Sequence, residues 1–315
     1  MSAVGLLINE RSSRVSSILG DLLQLARRYP NVRPAVLDGI DGIDRALSDM
    51  NRAGVDTVML AGGDGTIQAA FTDTINMRRF EHTPKYVAVP CGMTNVIAAD
   101  CGLKGSPVES IDQFLRRRRD GDVRRVRRSL MGLQIGVLNA PTYGFFLGAG
   151  AFTTAVKFSR DEVQKAGAKR SVAMAISIGG AILKAAFGEE PTEPPMLVDF
   201  RSTNCPYEGP QPMTMALMTT LRRLVLGVNP FWGTGPGALA VTTIGFPATR
   251  LLGAAPSVLR GKSEPWFEAA GYQSWRTGSL EAEFEGMLVF DGEFFNVAPG
   301  DFISIETTHD AEFLN

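Results

Sequence analysis

The hydrophobic positions in the first third of the chain fall into short runs separated by stretches with helical spacing. Residues 4–8 are an apolar run of strand length, and 55–60 a strand-length segment that is apolar apart from Asp56 and Thr57. Such runs suit strands buried on both faces. Residues 15–28 and 41–53 repeat apolar positions three and four apart, which predicts amphipathic helices. The run at 55–60 leads straight into a glycine turn, Ala61-Gly62-Gly63-Asp64-Gly65, ahead of a helix predicted over 66–75. Residues 86–90 repeat this arrangement, running into Cys91-Gly92 before a helix predicted over 95–100. Two successive strand, glycine turn and helix units are the pattern of an open α/β sheet, whose ligands sit beyond the carboxyl ends of the strands. Both turns are therefore expected at one crevice.

Past Gly121 the pattern changes to short alternating runs punctuated by Gly and Pro. Strands are expected at 123–137, 143–147, 197–200, 213–217, 239–244, 280–284 and 287–290, which together read as an antiparallel β-sandwich. A helical insertion over 161–187 interrupts them. Its apolar part, 171–187, falls short of the ~20 residues of a membrane helix and carries Lys184, so it reads as a buried helix. The small patch Gly179-Gly180-Ala181 suits ordinary core packing or, alternatively, a lipid-lined cleft, and the aromatics Phe231, Trp232, Trp266, Phe267, Tyr272 and Trp275 read as sandwich core, with a hydrophobic rim as the alternative. The expected division is an α/β domain over 1–122 and a β-sandwich domain over 123–315.

Composition narrows the function classes. With 315 residues, 44% hydrophobic and 21% charged, the chain can bury a sizeable core. Its 32 basic residues against 33 acidic ones give a net charge of −1, so no global field gathers nucleic acid. Three cysteines without a Cys-x-x-Cys step argue against a disulfide framework or a zinc site. Neither of the two histidines lies near a Ser or Cys motif, which removes hydrolase triads. The N-terminus has no signal-peptide pattern, and a cytoplasmic protein is expected. Against this neutral background, Arg116, Arg117, Arg118 and Arg119, followed by Arg124, Arg125, Arg127 and Arg128, stand out. They read either as a solvated helix end and edge strand or as a contact with an anionic membrane surface.

The glycine turn carries the sharpest chemistry. Glycines let backbone N–H groups turn toward a phosphate, and the next helix offers its positive N-terminus to the same anion. A carboxylate in that setting repels phosphate unless a divalent cation or a hydroxyl intervenes, so Asp64 points to Mg2+ or to a proton acceptor. The plainer reading is an aspartate capping the helix that follows.

Gly62-Gly63-Asp64-Gly65-Thr66 after a strand resembles the nucleotide-binding turn of the diacylglycerol kinase-like catalytic superfamily. That group comprises bacterial lipid kinases and sphingosine and ceramide kinases, with NAD kinases and phosphofructokinases as distant relatives. Asn9-Glu10-Arg11-Ser12-Ser13 stands where the family has Asn-Pro-x-Ser-Gly. Pro90-Cys91-Gly92-Met93-Thr94-Asn95-Val96 is similar to its Pro-x-Gly-Thr-x-Asn-Asp, and Phe290-Asp291-Gly292-Glu293 matches its Asp-Gly-Glu step. Residues 230–247 look like a segment of the bacterial lipid-kinase branch.

The resemblance implies ATP held by Asn9, Gly62, Gly63, Asp64, Gly65, Thr66, Gly92, Met93, Thr94 and Asn95, with Mg2+ at Asp64. It also implies Asp291 as general base toward a lipid hydroxyl, with Glu293 supporting it. A diacylglycerol-like acceptor comes first, then sphingoid or phosphatidylglycerol-like lipids, at a membrane surface reached peripherally. The sequence departs from the family at Ala69 and Val96, where acidic residues are usual, and at Met93. Those departures keep open a non-catalytic nucleotide- or lipid-binding member. A kinase for a soluble small molecule, as in NAD kinases, is a further alternative, and an exposed sandwich edge leaves room for a homodimer. On the bare dipeptide, Asp291-Gly292 reads as a hairpin turn.

Overall fold

The structure is a computed structural model and describes residues 2–137, 139–166, 195–224 and 227–315. The chain forms two units. One comprises Met1–Arg128, Thr142–Gly144 and Asp310–Asn315, and the other Ser129–Pro141 and Phe145–His309.

The first unit is built on parallel strands β1 (Ala3–Asn9), β2 (Val32–Leu37), β3 (Val55–Gly62) and β4 (Lys85–Pro90), in the order β2-β1-β3-β4. Phe313, near the C-terminus, pairs in parallel beside Tyr86 of β4. Val4 through Asn9 are buried without a break, as a strand covered on both faces requires. On one face Val4, Leu6, Ile8, Met59, Val87 and Val89 pack against helices α1 (Val15–Arg27) and α5 (Pro107–Arg119). On the alternate face Gly5 lies against Met50 of α2 (Ile43–Arg52). There too, Phe71 of α3 (Asp64–Asn76) meets Tyr86 edge-on, with ring centroids 4.5 Å apart. β2 has no counterpart among the expected strands because Arg33 and Pro34 break its apolar run. It is an outer strand, where a missing N–H is tolerated. Asn9, Gly62 and Pro90 are the last residues of β1, β3 and β4, so their following loops share one edge of the sheet. Short α4 (Val96–Cys101) follows the β4 loop.

The second unit is mostly antiparallel sheet, as expected. Its strands are the later part of β5 (Arg125–Ile135), then β7 (Phe146–Gly150), β8 (Met196–Arg201), β9 (Gln211–Thr219), β10 (Leu239–Gly245), β11 (Tyr272–Thr277), β12 (Ser279–Glu283), β13 (Gly286–Phe290), β14 (Glu293–Val297) and the first part of β15 (Phe302–Leu314). They pair in the order β14-β13-β7-β9-β8-β12-β15, with β10 on β9 and β11 on β10. A bulge around Thr214 switches the faces of β9. Met213, Ala216 and Met218 join a core with Phe200, Trp275, Leu288 and Ile303. Met215 and Leu217 join a second core with Phe152, Phe231, Val258, Phe267 and Tyr272. Phe152 belongs to α6 (Ala151–Ala166) and Val258 to α7 (Leu251–Leu259). Phe231, Phe267, Tyr272 and Trp275 are buried and Trp232 and Trp266 partly so, which makes these aromatics core.

Two expected elements differ in the structure. The strand expected over 143–147 is broken at Phe145 into β6 (Thr142–Gly144) and β7, because the Phe145 N–H turns aside to the Asp291 carboxylate. The helix expected from residue 161 begins at Ala151; residues 167–187, with Gly179-Gly180-Ala181, lie outside the described residues. Among the described residues no helix is long and apolar enough to cross a membrane.

Candidate active site

In the first unit the loops after β1, β3 and β4 are tied together by side chains. Asn9 Nδ2 donates to Thr66 Oγ1 at 2.7 Å, while Asn9 Oδ1 accepts the Arg11 N–H at 3.0 Å. The Gly63 N–H donates to Ser12 Oγ at 3.2 Å. Ser12 was absent from the expected site residues, although it occupies the Ser position of the Asn-Pro-x-Ser-Gly pattern. Its hydroxyl fixes the orientation of the first glycine turn.

Asn95 organises the second turn. Its Oδ1 accepts the Gly92 N–H at 2.7 Å, and its Nδ2 donates to the Gly92 carbonyl at 2.8 Å. Asn95 itself is left-handed, with φ of 50°, a conformation asparagine tolerates better than most residues. The two turns touch through bare backbone. A Cβ on Gly92 would lie 2.7 Å from the Gly63 Cα, closer than real Cβ contacts come, so this approach requires glycine. Asn9, Gly62 through Thr66 and Gly92 through Asn95 are thus brought to one edge of one sheet. Met93 is among the exposed large hydrophobic residues.

Asp64 lies inside this arrangement, buried in the first turn of α3. Its Oδ2 accepts the Thr94 hydroxyl at 2.8 Å and the Val96 N–H at 3.1 Å; its Oδ1 accepts the Ile97 N–H at 3.2 Å. Burial pushes its pKa up, opposed by these three donors. The aspartate therefore caps a helix, but α4 rather than the helix it begins. Among the described residues no group of three or more His, Cys, Asp or Glu side chains is placed to hold a metal ion. The neighbouring Cys91 thiol is fully buried and its pKa is pushed up to about 12, which leaves it inert.

In the second unit Asp291 and Gly292 form the two-residue turn between β13 and β14, with Phe290 opposite Glu293. Their φ values, 47° and 89°, are both positive, as a type I′ turn demands. The dipeptide is a hairpin turn, yet its carboxylate does not splay into solvent. Asp291 is only 6% exposed, and its Oδ2 and Oδ1 accept the N–H groups of Phe145 and Phe146, both at 2.9 Å. The Asp291 N–H in turn donates to the Phe146 carbonyl at 2.9 Å. Glu293 is exposed at the start of β14. Next to this clamp the Thr219 hydroxyl and the Thr220 N–H both donate to the Phe145 carbonyl, whereas the buried Thr220 hydroxyl has no hydrogen-bond partner.

The arginine-rich stretch is largely neutralised where it stands. Arg116 pairs with Asp112 at 2.9 Å, Arg118 with Asp56 at 2.8 Å and Arg119 with Asp120 at 3.2 Å, all at the end of α5. Arg127 pairs with Asp310 at 2.8 Å, and the buried Arg128 with Asp100 at 2.6 Å.

Residues 3–126 match the family model of the diacylglycerol kinase catalytic domain, which spans the strands and both glycine turns just described. Over those residues the chain is similar to a diacylglycerol kinase catalytic domain, a kinase-family match that fills most of the first unit. No curated protein matches the chain significantly. Over the whole chain, the fold is that of a diacylglycerol kinase structure from Bacillus anthracis str. Sterne, at 12% identity and a TM-score of 0.63, covering 99% of this chain and 96% of that one. Two further structures from that organism, described only provisionally as diacylglycerol kinases, align with TM-scores of 0.65 and 0.67 at 13% identity. Each of those alignments also covers 99% of this chain and 96% of the other.

Proposed function

We propose that this protein transfers the γ-phosphoryl group of ATP to the hydroxyl of a lipid, a diacylglycerol-like one first. The observation that carries this reading is the contact of the two glycine turns at the carboxyl ends of β1, β3 and β4. Bare backbone held rigidly by Asn9, Ser12, Thr66 and Asn95 suits the close approach of a polyphosphate. Phosphoryl transfer is mostly positioning and charge stabilisation, so a rigid cradle is the main contribution a protein can make.

In this reading Asp291 accepts the proton of the acceptor hydroxyl as its oxygen bonds to the γ-phosphorus. The bond from that phosphorus to the β–γ bridging oxygen breaks, and ADP leaves. The two N–H groups on the Asp291 carboxylate hold it in one orientation, as a group that must meet a hydroxyl proton at hydrogen-bond distance requires. Glu293, two residues on, adds negative charge beside it. The lipid acceptor is supported by the antiparallel second unit and by the family's usual substrates, and it implies peripheral work at an anionic membrane surface in the cytoplasm. Arg117 and its neighbours at the end of α5 are candidates for that contact, weakened by the carboxylates already paired there.

The test is transfer of labelled γ-phosphate from ATP into a mixed lipid extract by the wild type and by Asp291→Asn. A labelled lipid that depends on Asp291 supports the reading; label only in water-soluble products moves the acceptor to a small molecule. A second reading, a non-catalytic nucleotide- or lipid-binding protein, is favoured by Val96 and Ala69. It is upheld if ATP or lipid raises thermal stability while no label moves under any divalent cation.

A further inference from the structure

Mg2+ is the ion that the family resemblance attaches to Asp64, and the residues around it do not fit a metal held by the protein. A carboxylate has about four lone-pair positions, and three at Asp64 already accept protein hydrogen bonds. Those donors are themselves fixed. Two are the first N–H groups of α4, which have no partner within their own helix, and the third is the Thr94 hydroxyl two residues before that helix. Mg2+ at this spot would need those donors turned away from the carboxylate and further oxygen ligands around it. The family positions that usually supply further acids are Ala69 and Val96, both aliphatic side chains here. Asp64 is also almost fully withdrawn from water, whereas protein-bound Mg2+ usually keeps several waters.

We infer that Asp64 is a positioning residue that caps α4 and locks the second glycine turn against the first, and that it holds no divalent cation. The inference deepens the kinase reading, because it assigns how the donor cradle is kept in shape. Asp64 sits one residue after Gly63, and its partners Thr94, Val96 and Ile97 follow Gly92, so the carboxylate bridges the two turns that meet at Gly63 and Gly92. This also answers the electrostatic objection to a carboxylate in a phosphate turn, since the charge faces hydrogen-bond donors of α4 instead of a bound anion. Any Mg2+ that takes part then arrives with the phosphates of the nucleotide and with water.

The test needs no turnover, so it stands apart from the fate of the kinase reading. Wild type, Asp64→Asn and Thr94→Val are compared by thermal unfolding, by amide hydrogen exchange and by titration with Mg2+ alone. Loss of the cap should lower Tm by about 4 °C or more in Asp64→Asn and by less in Thr94→Val. The Val96 and Ile97 amides should exchange about tenfold faster or more, since local opening now costs less. Mg2+ alone should leave the Tm of the wild type unchanged. Should Mg2+ stabilise the wild type and not Asp64→Asn, Asp64 is a metal ligand and the inference falls. It falls equally if Asp64→Asn leaves Tm and the Val96 and Ile97 exchange unchanged. Where Asp64→Asn does not fold, Thr94→Val with the same exchange and Mg2+ readouts decides the question.

Discussion

Asp64 and Asp291 make an instructive pair, because each is a buried aspartate followed by glycine and each carboxylate accepts two backbone N–H groups. What separates them is the backbone that carries them. Asp64 opens a right-handed helix, and its carboxylate crosses to the start of a different helix. Asp291 is left-handed in a hairpin, and its carboxylate folds back onto the neighbouring strand at Phe145 and Phe146. The same dipeptide thus builds a rigid cap in one unit and an oriented carboxylate at a strand turn in the other. Residue type alone cannot tell these apart; the backbone conformation of the dipeptide can.

The sharpest way to break this comparison is to exchange charge for amide at both positions. Asp291→Asn keeps the size and the turn but removes the proposed proton acceptor, and phosphoryl transfer should fall by about 10²–10⁴-fold. Its stability should fall by only about 1–2 kcal/mol, since one of the two N–H groups loses its acceptor. A steady-state assay beside urea unfolding reads both quantities. If Asp291→Asn keeps its turnover, the division of roles between the two aspartates is wrong.

A somewhat smaller effect is expected from Gly92→Ala, which leaves both carboxylates in place and disturbs the contact that Asp64 bridges. The new methyl group would sit 2.7 Å from the Gly63 Cα, backbone that has little room to move. Overpacking of this kind costs about 1–3 kcal/mol, and ATP affinity should drop by about tenfold or more as the turns separate. Calorimetric titration with ATP checks it. Unchanged affinity would show that the cradle does not depend on the two turns touching.

Much of this was legible in the chain. Buried strands ending in glycine, as at Leu60 to Gly63 and Val89 to Gly92, announce themselves because every neighbour is apolar until the turn. β2 was invisible because an outer strand tolerates Arg33 and Pro34. The return of Asp310–Asn315 to the first unit has no local signal at all, since it depends on a pairing with Tyr86 more than two hundred residues away in the chain. At the site, the glycines and Asn9 were readable from type and spacing. The partners of Asp64 were not, because a carboxylate between glycines carries no mark of which donors will reach it.

The pH dependence of stability offers a finer distinction. Burial raises the pKa of Asp64 above its ordinary value of 3.8. A group raised on folding adds stability that is complete below its unfolded pKa and is lost as pH rises through the folded one. The wild type should therefore lose stability with rising pH above about 4 relative to Asp64→Asn, which has no proton to lose there. The gap between the two Tm values narrows across that range. A gap that widens instead would mean that the three donors outweigh burial and that the carboxylate is held ionised.

The smallest effect concerns the strand that receives Asp291. The Phe145 peptide is held from both sides, its N–H by Asp291 and its carbonyl by the Thr219 hydroxyl and the Thr220 N–H. Thr219 uses its hydroxyl twice, donating to Phe145 at 2.8 Å and accepting the Leu221 N–H at 3.1 Å, so Thr219→Val should cost about 1–2 kcal/mol. The adjacent Thr220 hydroxyl is buried without a partner, and a buried polar group in that state is a cost that folding must carry. Thr220→Val should then be neutral or should stabilise by about 1 kcal/mol, and transfer should be unaffected. Two neighbouring threonines would differ in sign because only one of their hydroxyls supports the strand end on which Asp291 rests. A loss of transfer in Thr220→Val, with Tm unchanged, would mean that its hydroxyl finds its partner in the acceptor and that the support of Asp291 extends to substrate binding.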